Sequence, residues 1–218
     1  MIAGNVDGSG AADRGRTAGG ARFSIRGVTP RNPFVLAPLD GYTDLPFRTL
    51  CRECGAGICI TEMVPAIALV RGVRDAKQRM RSDPEDRPRW VQIVTSTPEL
   101  AAGAARIAEA DGADLVDLNA GCPSRRVTNN GSGSALLSEL PLLAKLLTAM
   151  RAAIRVPLTL KIRSGPATGR LVLDEVAQIA ADCGVDAITL HPRTRAQGFA
   201  GGADWALISR FRNLWKGP

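Results

Sequence analysis

Short apolar runs alternate with longer stretches of helical period from residue 23 to the end of the chain. Each run holds about five residues, and apolar side chains stand on both faces, as in strands that are covered on both sides. The strands predicted in this way cover residues 34–38, 58–62, 90–94, 115–119, 158–162 and 187–191.

The stretches between these runs have recognisable helix ends. Thr97 and Pro98 supply a cap residue and a first-turn proline for a helix that runs to Gly112. Pro141 opens another helix, and a third stops at Gly184, a residue able to adopt the left-handed conformation. Strands separated by helices indicate parallel βαβ units.

The length of these units favours a TIM (β/α)8 barrel. Six units over residues 33–218 average about 31 residues each, so eight units would need about 250 residues, the usual size of that fold. A doubly wound open sheet is the alternative, but a Gly-rich nucleotide-binding turn does not follow the first predicted strand. We therefore expect an α/β chain with about six of the eight β/α units of a TIM barrel.

The composition of the chain predicts an N-terminal extension and a location in the cell. Residues 1–22 are rich in Gly, Ala, Arg and Asp without periodicity, so we expect a disordered extension there and a partial barrel over residues 23–218. No apolar run is long enough to span a membrane, which predicts a soluble, cytoplasmic protein. The oligomeric state is left open.

The chain is basic, with a formal net charge of +7 that comes mostly from arginine. A basic surface attracts polyanions such as RNA, although a bias of base composition towards Arg codons would give the same charge. The five cysteines form no repeated pairing pattern, which indicates thiols. Because Cys51, Cys54 and Cys59 lack a second Cys pair and a nearby His, we expect no metal.

Polar side chains stand at the end of every predicted strand, where a barrel places its chemistry. Lys161 and Arg163 lie two residues apart in an apolar strand and therefore point to one face. A lysine at a barrel mouth suits an anionic or electron-rich partner, unless it simply reaches solvent. The other strand-end candidates are Pro38, Leu39, Asp40, Glu62, Gln92, Asn119, Cys122, His191 and Arg193.

Cys122 stands in a Gly-Cys-Pro turn just after a strand, close to Arg125 and Arg126. A thiol near positive charge can act as a nucleophile or as a proton donor, while a buried structural cysteine is the alternative. The Gly-Ser run at residues 131–134 is compatible with an anion-binding nest or with a flexible loop.

Several of these segments together resemble the tRNA-dihydrouridine synthase family. The resemblance is colinear over about residues 33–215, and the Gly-Cys-Pro-Ser and His-Pro-Arg-Thr-Arg-Ala-Gln-Gly segments are its most specific parts. The matching segments are APLDGYTDLPFR at 37–48, TEM at 61–63, VQI at 91–93, DLNAGCPSRRV at 117–127, GSGSALL at 131–137, LKIR at 160–163 and HPRTRAQGF at 191–199.

The resemblance implies an FMN-containing TIM barrel that reduces specific uridines of tRNA to 5,6-dihydrouridine, with NADPH as the expected electron donor. In that chemistry a hydride from reduced FMN adds at C6 of uracil, and an acid supplies a proton at C5. tRNA is then the expected partner, held by arginines through its phosphates.

The resemblance also implies roles for individual residues. Cys122 corresponds to the catalytic acid. Asn119 and Arg163 correspond to contacts with uracil or with the flavin, and Arg193 is expected to bind the substrate with them. The positions that correspond to the flavin site are Pro38, Leu39, Asp40, Gln92, Lys161 and His191.

The family pattern extends beyond these 218 residues. Strands seven and eight, with their share of the FMN phosphate site, and the C-terminal helical domain that grips tRNA are absent from this sequence, so we expect little activity from it alone. Another FMN barrel oxidoreductase, of the dihydroorotate or enoate reductase type, and an inactive RNA-binding fragment are the alternatives.

Overall fold

Six parallel strands form one sheet in the computed structural model, which describes residues 23–218. Each strand pairs with its neighbours in sequence, from the first to the sixth without any reversal of order. The strands are β1 (Val35–Leu36), β2 (Ile58–Pro65), β3 (Arg89–Val94), β4 (Leu115–Ala120), β5 (Leu158–Arg163) and β6 (Ala187–His191).

Helices fill the connections between the strands. The 3-10 helix Gly133–Ser138 lies between two of them, after β4. The α-helices are α1 (Leu45–Glu53), α2 (Ala66–Val70), α3 (Arg74–Arg79), α4 (Pro98–Ala110), α5 (Arg125–Thr128), α6 (Leu140–Ala153), α7 (Leu173–Asp182) and α8 (Ala206–Leu214).

The strand order decides the fold. A doubly wound sheet reverses its order at a switch point, whereas a TIM barrel adds each strand beside the preceding one. The uninterrupted order of β1 to β6 therefore confirms a partial TIM barrel and excludes the open-sheet alternative. The extension predicted over residues 1–22 lies outside the described residues.

The predicted strand bounds are correct to within three residues, and β1 differs most in kind. It is reduced to Val35 and Leu36, because Pro33 and Pro38 on either side have no N–H to donate to a ladder. Strand β2 runs on to Pro65, past a shift of register between Ile60 and Met63.

Helix starts and stops follow the local chemistry with one exception. Helix α4 begins at Pro98, but the side chain of Thr97 makes no capping hydrogen bond, so its predicted capping contact is not formed. Asp44 does cap α1, accepting from the backbone N–H of Phe47 at 3.1 Å. Gly184, after α7, has a φ of +68°, the left-handed conformation expected there.

Two apolar cores lie on opposite faces of the sheet. The larger core packs side chains such as Val91, Leu118 and Leu160 against the helices outside the barrel. The smaller core fills the amino end of the barrel interior with Ile58, Ile60, Trp90, Leu115 and Ala187, and Ile25 packs against it from the bridge between Ile25 and Val28. The opposite, carboxyl end of the interior is therefore free to hold polar side chains.

A buried ion cluster fixes α1 to the segment before β3. Asp86 accepts from Arg48 Nη2 at 2.7 Å and from Arg52 Nε at 3.0 Å, and all three side chains are almost completely buried. None of the described helices is long and apolar enough to cross a membrane.

Candidate active site at the carboxyl ends of the strands

Strand register brings most of the predicted site residues side by side. Asn119 on β4 lies beside Lys161 on β5, and Arg163 lies beside His191 on β6. Because parallel strands end at the same edge of the sheet, these residues share the mouth of the barrel.

Cys122 lies in the loop after β4, which is tied down from both sides. Its backbone N–H donates to Asn119 Oδ1 at 2.9 Å, and its carbonyl accepts from the backbone N–H and the hydroxyl of Ser134, at 3.0 and 2.9 Å. Gly133 has a φ of +61°, and a Cβ there would lie 2.7 Å from the Cys122 carbonyl oxygen. The Gly-Ser run therefore holds the Cys122 loop.

The side chain of Cys122 is partly buried against an apolar cluster. Met63, Val94 and Val127 form this cluster at the ends of β2 and β3 and in α5. The thiol thus lies in a fixed loop and borders the barrel mouth, a position that suits a proton donor or a nucleophile.

A row of buried polar side chains runs across β3, β4 and β5 below this loop. Gln92 Nε2 donates to Asp117 Oδ2 at 2.8 Å, and Asn119 Nδ2 donates to Gln92 Oε1 at 2.8 Å. The Asp117 carboxyl also accepts from Thr159 Oγ1 at 2.5 Å. Burial raises the pKa of Asp117 to about 6, against the opposing effects of these hydrogen bonds and of Lys161.

Lys161 has no hydrogen-bond partner for its ammonium group among the described residues. Burial lowers the pKa of Lys161, and the charge of Asp117 offsets this only in part, while Arg163 adds to the lowering. A desolvated cation without a partner is unfavourable. The position therefore suits an anionic or electron-rich group brought by a ligand.

Arg163 is buried, with 1% of its surface exposed, and contacts backbone rather than open space. Its Nε donates to the carbonyl of Gly121 at 2.8 Å, and its Nη1 donates to the carbonyls of Thr194 and Gly198 at 3.1 and 2.7 Å. The centre of the Phe199 ring lies 5.4 Å from the guanidinium carbon. These contacts join the Cys122 loop to the loop after β6.

His191 and Arg193 form a second pair at the end of β6. Arg193 Nη1 lies 3.3 Å from His191 Nε2, so this nitrogen acts as the acceptor and Nδ1 carries the imidazole proton. Burial, with the positive charges of Arg163, Lys161 and Arg193, lowers the pKa of His191 to about 4. Arg193 Nε is buried without a partner in the described part of the chain.

Asp40 belongs to a different group of charges. It accepts from Arg79 Nη1 at 2.5 Å and from Arg126 Nη2 at 2.6 Å, while Glu62 accepts from the backbone N–H of Gly41 at 2.7 Å. Between these residues and the ends of β2 and β3 lies a cavity of about 580 Å³. Asp40, Met63, Val94, Arg126 and Val127 line it, together with ten other residues.

Pro38 and Leu39 lie in the loop that follows β1. The backbone N–H of Leu39 donates to Thr43 Oγ1 at 3.1 Å, and 46% of the Leu39 surface is exposed. In residues 23–218 no three His, Cys, Asp or Glu side chains come together as metal ligands would.

Residues 35–215 match the family model described as "Dihydrouridine synthase (Dus)". The chain belongs to the dihydrouridine synthase family. The match covers all six strands and every predicted site residue from Pro38 to Arg193.

Curated members of the dihydrouridine synthase family are similar over most of this chain. The tRNA-dihydrouridine synthase B of Xanthomonas axonopodis pv. citri is 42% identical over 178 residues, which are 82% of this chain and 54% of the relative. That of Escherichia coli (strain K12) is 43% identical, over 82% of this chain and 56% of the relative. The chain therefore spans about half the length of the curated relatives it matches.

Solved structures with the same fold are more distant in sequence. An active chimera of (S)-mandelate dehydrogenase has a TM-score of 0.55 at 15% identity, over 91% of this chain and 62% of its own. The 6-hydroxypseudooxynicotine amine oxidase of Pseudomonas geniculata N1 has a TM-score of 0.58 at 13% identity, over 90% of this chain and 42% of its own. At such identities the likeness concerns the fold.

In this dihydrouridine synthase barrel, the sequence predicted most of the residues at the barrel mouth, but it did not predict the residues that hold them in place. Gln92, Asn119 and Cys122 are linked by hydrogen bonds, and His191 and Arg193 are in contact. Asp117, Thr159, Ser134, Arg79 and Arg126 were not singled out for the contacts they make. A carboxylate two residues before Asn119 in an apolar strand was a signal for Asp117, whereas the long-range pairs of Asp40 left no trace in sequence.

Proposed function

We propose that this chain supplies the reducing site of a flavin-dependent tRNA-dihydrouridine synthase, which converts uridine in tRNA to 5,6-dihydrouridine. The observation that carries the proposal is the position of Cys122, held in a fixed loop beside Asn119 at the mouth of a dihydrouridine synthase barrel. The curated relatives are named as enzymes of that activity, and they match this chain over four fifths of its length.

The polar groups of the mouth fit a flavin mononucleotide. The Lys161 ammonium has no hydrogen-bond partner in residues 23–218, and its positive charge, with those of Arg163 and Arg193, acts on His191. Such groups favour an electron-rich ring and an anion. Gln92, Lys161 and His191 would contact the flavin, with Pro38, Leu39 and Asp40 along its border, and the bound FMN would supply a hydride to C6 of uracil after reduction by NADPH.

The chain itself supplies the proton. Cys122 Sγ–H donates it to C5 of uracil, and solvent later returns a proton to the thiolate, so that one hydride and one proton complete the reduction of the C5=C6 bond.

The predicted substrate residues differ in which of their polar atoms already contact other parts of the chain. Arg193 contacts His191 and the carbonyl of Gly201 and has a buried Nε, while the polar atoms of Asn119 and Arg163 are engaged by Gln92 and by backbone groups of the two loops. Asn119 and Arg163 therefore shape the Cys122 loop in this proposal, and any contact with uracil is made by atoms that those bonds leave free.

The substrate is an RNA, and the charge of the chain agrees with that partner. The net charge of +7 comes from arginines, and the mouth combines Lys161, Arg163 and Arg193 with few carboxylates. Arginine binds phosphate oxygens independently of sequence. The uridine has to leave its stack to reach a site inside a barrel mouth.

A chimera tests the proposal without depending on the length of this chain. Residues 35–215 replace the matching residues of the Escherichia coli relative, and the product is assayed with NADPH and unmodified tRNA by mass spectrometry of the nucleosides. We expect a yellow protein that forms dihydrouridine, while the 218 residues alone hold little FMN and form none.

Each other outcome of the assay points to a different function. A yellow chimera that reduces or oxidises dihydroorotate but not tRNA would identify another flavin barrel oxidoreductase. A colourless chimera without activity, together with tRNA binding by the 218 residues alone, would identify an RNA-binding fragment. Either result contradicts the proposal.

A further inference from the structure

The buried carboxyl of Asp117 stands at the centre of a continuous hydrogen-bonded chain that ends at Cys122. On one side, Trp90 Nε1 donates to Thr159 Oγ1 at 2.9 Å, and Thr159 Oγ1 donates to Asp117 Oδ1 at 2.5 Å. Asp117, Thr159 and Trp90 have exposures of 0%, 0% and 3%, so water does not compete for these bonds.

On its other side, Asp117 Oδ2 accepts from Gln92 Nε2 at 2.8 Å, and Gln92 Oε1 accepts from Asn119 Nδ2 at 2.8 Å. Asn119 Oδ1 then accepts from the backbone N–H groups of Gly121 and Cys122, at 3.1 and 2.9 Å. Every link joins one donor to one acceptor, and the direction of the links is the same from the loop to the carboxyl.

The groups at the two ends of this series of hydrogen bonds, between the Cys122 loop and Asp117, fix the orientation of the Asn119 and Gln92 amides. Backbone N–H groups can only donate, so Asn119 must present its oxygen to the Cys122 loop and its nitrogen to Gln92. Gln92 must then present its oxygen to Asn119 and its nitrogen to position 117. Only a side chain with an acceptor at that place completes the chain, and Asp117 provides one.

Asp117 is also an unfavourable residue to bury for stability alone. A carboxylate without exposure to water is stabilised only by the donors that reach it, and an apolar side chain of similar size often serves a core equally well. Leu115, two residues earlier and on the same face of β4, packs in the inner apolar core, so this face of the strand accommodates apolar residues.

We propose that Asp117 is a positioning residue: its acceptor oxygen anchors the amides of Gln92 and Asn119 and thereby fixes the backbone of Cys122. The placement of Cys122 can be measured directly, and the inference rests on the proposed function only for the use made of that thiol. Without the anchor, Gln92 is free to turn, Asn119 loses its partner, and the N–H of Cys122 is released.

Hydrogen exchange of the Gly121 and Cys122 amides in the 218-residue chain tests the inference. In Asp117→Leu, we expect their protection to fall about tenfold or more relative to amides of α4, and alkylation of Cys122 by iodoacetamide to accelerate relative to the exposed Cys54. In Asp117→Asn, the amide oxygen faces Gln92 and the amide nitrogen faces Thr159, so both readouts should stay near those of the unmodified chain.

Thr159→Val provides the matched control. It removes the donor on the far side of Asp117 and lowers stability, but it leaves the bond from Gln92 in place, so the Cys122 amide should stay protected. If Thr159→Val releases that amide as much as Asp117→Leu does, or if Asp117→Asn behaves as Asp117→Leu, Asp117 has only a structural role and the proposal is wrong.

A variant on the other side of the anchor covers the case in which Asp117→Leu does not fold. Gln92→Met interrupts the chain while leaving the Thr159 bond to Asp117, and it should release the Cys122 amide to a similar extent. A protected amide in Gln92→Met overturns the inference.

The same substitutions in the chimera separate this inference from the proposed function. We expect Asp117→Leu to lower kcat for uridine at least tenfold with little change in KM, and Asp117→Asn to restore it. If the chimera without these substitutions is inactive while Asp117→Leu still releases the amides, the function is contradicted and the positioning role is intact. Unchanged amides and unchanged kcat would contradict the positioning role and leave the function intact.

Discussion

Arg163 Nε donates to the carbonyl oxygen of Gly121 at 2.8 Å, and this bond connects β5 to the residue that precedes Cys122. The same guanidinium reaches the carbonyls of Thr194 and Gly198 in the next loop. One buried arginine thus holds together two loops that are more than 70 residues apart in sequence.

Arg163→Met should destabilise the chain by about 3 kcal/mol, because it leaves buried carbonyl groups without donors. The loop of residues 193–201 should become the first site of limited proteolysis. Thermal melts and mass spectrometry of the tryptic or chymotryptic fragments would measure both effects.

Arg195→Met is the matched control for Arg163→Met. Arg195 belongs to the same loop, but its side chain makes no ion pair among the described residues, so its loss should change the melting temperature little. Equal effects of the two substitutions would show that Arg163 does not act as the link between the loops.

Cys122→Ala in the chimera should slow uridine reduction by about 100-fold or more, the usual scale for a positioned acid. The FMN content and the rate of flavin reduction by NADPH should remain, because the thiol acts after these steps. Cys54→Ala removes an exposed thiol at the carboxyl end of α1 and should leave turnover unchanged. Normal turnover of Cys122→Ala would reject the assignment.

Lys161→Met should affect stability and flavin binding in opposite directions. The substitution removes a largely desolvated, half-buried lysine whose ammonium has no hydrogen-bond partner in residues 23–218, so the melting temperature of the chain should stay equal or rise. In the chimera it should lower FMN retention or slow flavin reduction, since the charge that faces the ring is gone.

Lys145→Met is the control for Lys161→Met, because Lys145 is exposed on α6 and far from the barrel mouth. It should alter neither FMN retention nor flavin reduction. Wild-type flavin content together with a wild-type reduction rate in Lys161→Met would exclude a role in flavin binding.

His191 should remain neutral far below its usual range, because burial and three positive neighbours lower its pKa to about 4. As the chain has a single histidine, its Cε1–H signal in proton NMR should stay at the neutral position from pH 7.5 to about 5. Arg193→Met should move the midpoint upwards, and a midpoint near 6.5 in the unmodified chain would contradict the prediction.

The same lowered pKa has a consequence for stability. Above pH 6.5 the imidazole is neutral in both the folded and the unfolded chain, so His191 contributes its full stability there. As the pH falls from 6.5 towards 4, the unfolded chain takes up a proton that the folded chain does not, and this contribution is lost. Arg193→Met should weaken that pH dependence in urea melts.

The pattern of the sequence located the six strands and the barrel. Apolar runs of about five residues, separated by helices with proline at their starts and glycine at their ends, were sufficient, because burial on both faces leaves a strand few polar positions. For the same reason the strand ends marked Gln92, Asn119, Lys161 and His191, since polar residues are rare in such strands and stand out at their ends.

The tertiary structure decided what those residues contact. Asn119 holds the Cys122 backbone, Arg163 serves two loops, and Asp40 faces Arg79 and Arg126. These partners lie up to 86 residues apart, and the strand register and the loop paths that bring them together come from packing over the whole barrel. Local composition carries no record of such pairings, so they could not be read from the sequence.

The pKa values of the site depend on the same packing. The sequence by itself gives histidine and aspartate only the usual pKa of each residue type. Burial and the charges on neighbouring strands lower the pKa of His191 to about 4, and burial raises the pKa of Asp117 to about 6. The sequence determined which groups reach the barrel mouth. The fold determined which of them are charged there, because desolvation and distance between charges exist only once the strands are assembled.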